Sequence, residues 1–162
     1  MPSSTITGIL SPAWATRATA CSGPSRRGVT PMSPDLKYLL LSTILCFVQV
    51  LIAATGANQQ VGLPKLAGNR DSLPEYTGWA GRARRAHLNM IENLVLFAAL
   101  VLIAAVSGKA NATTAMGAMI FFWGRLAYAV IYLIGIPWLR TLAWFVSVIG
   151  MAVIAWVLLQ AM

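Results

Sequence analysis

Residues 85–106 read RAHLNMIENLVLFAALVLIAAV, and the fold turns on how the two halves of this stretch are joined. Leu94 to Val106 is a clean apolar run of thirteen residues. A helix rises 1.5 Å per residue, so crossing roughly 30 Å of hydrocarbon takes about 20 residues, and thirteen fall short. To span, the helix must extend backwards through Asn93, Glu92, Asn89, His87 and Arg85. The sequence therefore puts charged and amide side chains inside a membrane helix.

The rest of the chain agrees with a membrane location. Of 162 residues, 58% are hydrophobic and 10% charged, against roughly 25% charged in a soluble domain. Two cysteines, Cys21 and Cys46, are too few for a disulfide framework. Twelve Lys and Arg against four Asp and Glu give a net charge of +8. Nucleic acid is not the expected partner, because these cations cluster at the edges of apolar runs, where lipid headgroups lie. No metal site is expected.

Three further spans follow: Tyr38 to Ala57, Thr113 to Ile136, and Thr141 to about Gln160. Residues 58–84 read as a long loop, and Gly135-Ile136-Pro137 as a tight connection. Short connections imply antiparallel neighbours, so the expected fold is an all-α integral membrane protein, a four-transmembrane-helix bundle over 34–162. Residues 1–33 differ, with eleven Ser or Thr, four Pro, three Arg and no acidic residue. They read as a disordered tail, a transit segment, or translation ahead of a start at Met32. Lys65, Arg70, Arg82, Arg84 and Arg85 in the first loop and Arg140 in the third outnumber Lys109 and Lys37 on the opposite side. The first and third loops are thus expected to face the cytoplasm.

At 100° per residue, Arg85, Asn89 and Glu92 form one stripe, with His87 on the far side. Arg125, Tyr128 and Tyr132 form a second stripe, extended by Phe121. Arg140, Trp144 and Ser147 form a third. Counted from Arg85, Asn89 lies level with Tyr132, and Glu92 with Tyr128, just short of Arg125. Because isolated intramembrane charges are costly, Glu92 and Arg125 are expected to form a structural ion pair. Arg82 and Arg84 read as headgroup contacts. The surplus of cations in this cleft suits a small anion. A ligand with two carboxylates, one ammonium and two peptide bonds would satisfy the donors and acceptors present, and glutathione is such a ligand.

These segments resemble a known family. Arg85-Ala86-His87-Leu88-Asn89-Met90-Ile91-Glu92 is similar to the R-A-x-x-N-x-x-E signature of the MAPEG superfamily, membrane-associated proteins of eicosanoid and glutathione metabolism. Gly124-Arg125 with Tyr128 and Tyr132 resembles its third-helix pattern, and Arg140-Thr141 the pair that opens its fourth helix. The likeness covers about residues 36–160, and residues 68–71 (Gly-Asn-Arg-Asp) look most like bacterial members, which implies a bacterial inner membrane. The resemblance implies a homotrimer with glutathione as thiol co-substrate between subunits. It implies glutathione contacts from Arg85, Asn89, Glu92, Tyr128 and Tyr132, and Arg140 as the catalytic residue near the thiol, with Thr141 as a second donor. Asn58, Gln59 and Gln60 stand where many members carry a basic residue.

The function so implied is a glutathione-dependent transferase or peroxidase acting on membrane-dissolved electrophiles or lipid hydroperoxides. The family also has a non-enzymatic member, the lipoxygenase-activating protein. The alternative is therefore a lipid- or ligand-binding protein using the same cleft without chemistry. A proton-coupled exporter is the third class, for which Glu92 is poorly placed.

Overall fold

Pro34 opens the first helix, at a position where a helix needs no N–H from it. The computed structural model describes residues 31–69 and 73–161. Five helices follow in order: α1 Pro34–Val61, α2 Leu63–Ala67, α3 Gly78–Val106, α4 Ala112–Ile134 and α5 Pro137–Gln160. The tail expected over 1–33 lies, through residue 30, outside the described residues. All four helices other than α2 are long and apolar enough to cross a membrane. The protein is an all-α, multi-pass integral membrane protein.

The spans are longer than hydropathy alone indicates. α1 and α3 contain 28 and 29 residues, about 42 and 44 Å of helix, against roughly 30 Å of hydrocarbon. The expected loop over 58–84 is correspondingly shorter. The Gln60 side chain explains part of this. Its Nε2 donates to the Thr77 carbonyl at 2.9 Å and its Oε1 accepts from the Thr77 N–H at 3.1 Å. One amide thus clasps the end of α1 to the residue that precedes α3.

Local chemistry fixes the other ends. Asn111 caps α4, its Oδ1 accepting from the N–H groups of Thr113 and Thr114 at 2.8 and 3.0 Å. The Asn111 N–H donates in return to Thr114 Oγ1 at 2.9 Å, completing a capping box. At the other end of α4, Gly135 takes φ +95°, a left-handed conformation that favours glycine, and Pro137 starts α5 at once.

The half of the bundle away from the α4–α5 turn is packed closely. A Cβ on Gly150 would sit 2.6 Å from the Gly117 carbonyl oxygen, and one on Gly124 would sit 2.9 Å from the Ser147 nitrogen. Small residues of this kind let membrane helices approach to backbone contact. Phe97 and Phe121 stack at 3.9 Å between ring centroids, among buried Val101, Ala118, Met151 and Ile154. Apolar side chains such as Phe47, Val95, Leu96 and Ile149 are exposed, as a lipid-facing surface requires. α1 departs from this rule on its inner side. Asp35, Ser42, Gln49 and Gly56, spaced by seven, are its buried residues. Asp35 Oδ1, Ser42 Oγ and Gln49 Oε1 have no hydrogen-bond partner among the described residues.

Candidate functional site

Arg125 is the largest fully buried side chain, at 0% exposure, half-way along α4. Its Nη1 and Nη2 both donate to Asn89 Oδ1 at 3.0 Å, and its Nε approaches Met90 Sδ at 3.4 Å. The guanidinium also lies 4.8 Å from the Tyr128 ring centroid. The ion pair expected between Glu92 and Arg125 is therefore replaced by an amide, a thioether and an aromatic face. Glu92 is exposed.

The physical reason is a shift of register. α3 begins at Gly78, seven residues before Arg85, so each polar residue of α3 lies about 10 Å further from the helix start than the sequence reading placed it. Asn89 comes level with Arg125, and Arg85 with Tyr132. Rotation completes the correction. The buried residues of α3, Ala86, Met90, Phe97 and Val101 among them, centre about 150° around the helix from Glu92 but only about 90° from Asn89. Asn89 reaches inward from the edge of the packed face. Glu92 stands on the exposed side of α3.

The expected tyrosines do converge with Arg85 and Arg140. Tyr128 and Tyr132 are buried against Ala86 and Ala143, their rings 5.4 Å apart. Arg85 Nε donates to the Tyr132 hydroxyl at 3.3 Å. The Arg140 guanidinium rests 4.8 Å from the centroid of the same ring, a cation–π contact that holds a long side chain in place. Asn89, Tyr128, Tyr132, Arg140, Thr141 and Trp144 line an open cleft of about 240 Å³. No carboxylate is among these six lining residues.

Other expected residues lie elsewhere. The Thr141 hydroxyl, read as a second donor beside Arg140, donates to the Pro137 carbonyl at 3.3 Å, although the residue lines the cleft. Ser147 is turned onto the Trp144 carbonyl at 2.7 Å. His87 faces α1, its Nδ1 3.9 Å from Cys46 Sγ. Arg82, read as a headgroup contact, donates from Nε to the Leu133 carbonyl at 3.1 Å, satisfying an orphan acceptor at the end of α4. Gln60, one of the three residues read as standing in place of a basic residue, is committed to Thr77. Trp144, for which the sequence reading has no role in the site, lines the cleft; its place on the Arg140 stripe was the available signal. Among the described residues, no three His, Cys, Asp or Glu side chains are grouped to hold a metal ion.

Residues 36–160 match the MAPEG family over most of the chain. The chain belongs to the MAPEG family. No curated protein matches it. The MAPEG match runs from the third residue of α1 to the last of α5, so the membrane bundle, with its cleft, is the family domain.

Proposed function

We propose that this MAPEG protein is a glutathione-dependent transferase or peroxidase for hydrophobic electrophiles or lipid hydroperoxides dissolved in the bilayer. The observation that carries this reading is the clamping of Arg140 over Tyr132 at the rim of a cleft lined otherwise by neutral polar and aromatic groups. The fit to glutathione is chemical. Arg85 offers a guanidinium for a carboxylate, Asn89 and the tyrosines offer hydrogen bonds to amides, and Arg140 remains for the sulfur. Arg125 stands behind Asn89 and fixes its carbonyl, which leaves the Asn89 NH₂ to donate.

A thiol of pKa about 8.5 is mostly protonated at neutral pH, and an adjacent cation favours the thiolate. Arg140 supplies that cation at a fixed position, and the cleft brings the sulfur beside lipid-dissolved substrate. In a transferase step the thiolate forms a carbon–sulfur bond as the electrophile's leaving group departs or its double bond takes the electron pair. In a peroxidase step it attacks the terminal hydroperoxide oxygen, breaking the O–O bond to give a sulfenic acid and an alkoxide, and a second glutathione thiol then displaces water to close the disulfide.

Arg85 and Glu92 are exposed on the outer side of α3, so the protomer leaves one wall of this cleft open. A homotrimer would close it with a neighbouring copy, whose approach gives Glu92 a place facing the ligand ammonium. The arginines of the first and third loops favour the cytoplasmic side for both. The deciding measurement is ultraviolet absorbance of thiolate on mixing glutathione with protein purified in detergent, followed by conjugation of a hydrophobic electrophile. A thiolate signal at neutral pH is expected. Binding of lipophiles without that signal would turn the protein into the non-enzymatic ligand binder.

A further inference from the structure

The inner side of α1 holds a polar group that the cleft does not use. Gln49 is 6% exposed, and its Oε1 has no hydrogen-bond partner among the described residues. It stands eight residues before Ala57, where the apolar stretch of α1 ends, and so about 12 Å inside the hydrocarbon. Lipid offers an oxygen at that depth no donor. Taking an amide out of water without replacing its hydrogen bonds is costly, and buried side-chain oxygens nearly always have a partner.

The structure has room for one. Gln49 borders a small cavity whose other walls are Ile52 of α1, Ala83 and Ala86 of α3, and Ala129 and Leu133 of α4. The space open to the centre of a water molecule is about 10 Å³, close to the least that holds one water. The three alanines are buried, and their short side chains make the gap. All six walls belong to one protomer, and α3 contributes its buried side, so the cavity is separate from the open wall of the cleft where a neighbouring copy would dock.

The chemistry of the walls selects the occupant. One neutral amide does not compensate an ion for its lost hydration, and an apolar guest would leave Oε1 without a donor. A water molecule can give one hydrogen to Gln49 Oε1 and the other to a helix carbonyl along the wall, since such a carbonyl keeps a second lone pair.

We propose that Gln49 binds one ordered water in this cavity, and that the water joins α1 to α3 and α4. The joint lies behind the cleft, because Ala86 also packs against Tyr128 and Tyr132. This site stands independently of the thiol chemistry, and its readout involves no turnover.

The test is X-ray hydroxyl-radical footprinting of the full chain in detergent, read by mass spectrometry. Radicals made from a bound water oxidise the side chains around it. Ile52 and Leu133 should therefore be modified several-fold faster than Leu94 and Val148, which are also partly buried, and Gln49→Leu should remove the excess. Equal rates at all four residues, or an excess that persists in Gln49→Leu, would overturn the proposal. Thermal melts give a second reading that does not need the leucine variant to fold. Ala129→Val fills the cavity, so it should expel the water and strand Gln49 Oε1. Its loss of melting temperature should be larger by a few degrees in the natural chain than in a Gln49→Met background, where no oxygen is stranded. Equal losses in the two backgrounds would show a dry cavity and sink the idea.

Discussion

The two ends of this bundle are built on opposite principles. Toward the α3–α4 connection, α4 and α5 meet through Gly117 and Gly150 at backbone contact, and Phe97 lies flat on Phe121. Toward the α4–α5 turn, Tyr128, Tyr132, Arg140 and Trp144 of the same helices, with Asn89 of α3, line an open cleft. Side-chain size sets the difference. Glycine lets dispersion forces act between backbones, whereas arginine and tyrosine put polar groups along the wall of an open cleft. The closed end supplies the rigidity that positions the open end, as a binding constellation requires.

The comparison breaks most readily at the closed end. Gly150→Val should destabilise the protein by about 3 kcal/mol through overpacking, because its Cβ would meet backbone atoms of α4 that cannot swing aside. Detergent thermal melts measure this, and an unchanged melt would show that the helix contact is slack. Next in size is Asn89→Leu, which removes the acceptor for both Arg125 Nη groups. Loss of hydrogen bonds to a buried charge should cost about 2 kcal/mol and abolish glutathione binding, so it couples the two ends where a glycine variant does not. Asn89→Asp should restore the melt.

Arg140→Leu acts only at the open end. It should leave the melt in place, hold glutathione affinity within a few-fold, and raise the bound thiol's pKa by about one unit, or 1.4 kcal/mol. Rate and thiolate absorbance against pH would move together toward alkaline pH; identical profiles would return Arg140 to headgroup anchoring. The smallest effect is expected for Glu92→Gln, within about 0.5 kcal/mol in the protomer's stability, since Glu92 is exposed and not paired with Arg125. A large loss of stability in a demonstrably monomeric preparation would restore the ion pair that the sequence suggested.

That ion pair shows where sequence reasoning reached its limit. Four spans and the polar stripes were legible, because burial in lipid leaves hydropathy and helical periodicity as strong signals, whereas the grouping of Tyr132 with Arg85 and Arg140 came from the family resemblance. The start of α3 was not legible. Hydropathy marks where a helix enters hydrocarbon, and α3 begins before that, at Gly78, with its first turns carrying Arg82, Arg84 and Arg85. Once the start moves, Asn89 takes the position assigned to Glu92. The Gln60 clasp on Thr77 and the Arg82 contact with Leu133 are long-range pairings between residues 17 and 51 apart, and no local pattern announces them.

The inner face of α1 bears on how the protein is made. Asp35, Ser42 and Gln49 follow one another at intervals of seven, so their shared line drifts only slowly around the helix. In the finished bundle α3 and α4 cover that line. The ribosome delivers α1 before either of them, so for a time this row of polar groups has only lipid, water or the insertion machinery as company. A first span marked in this way is an incomplete anchor, and its partners must arrive before the bilayer can hold it firmly.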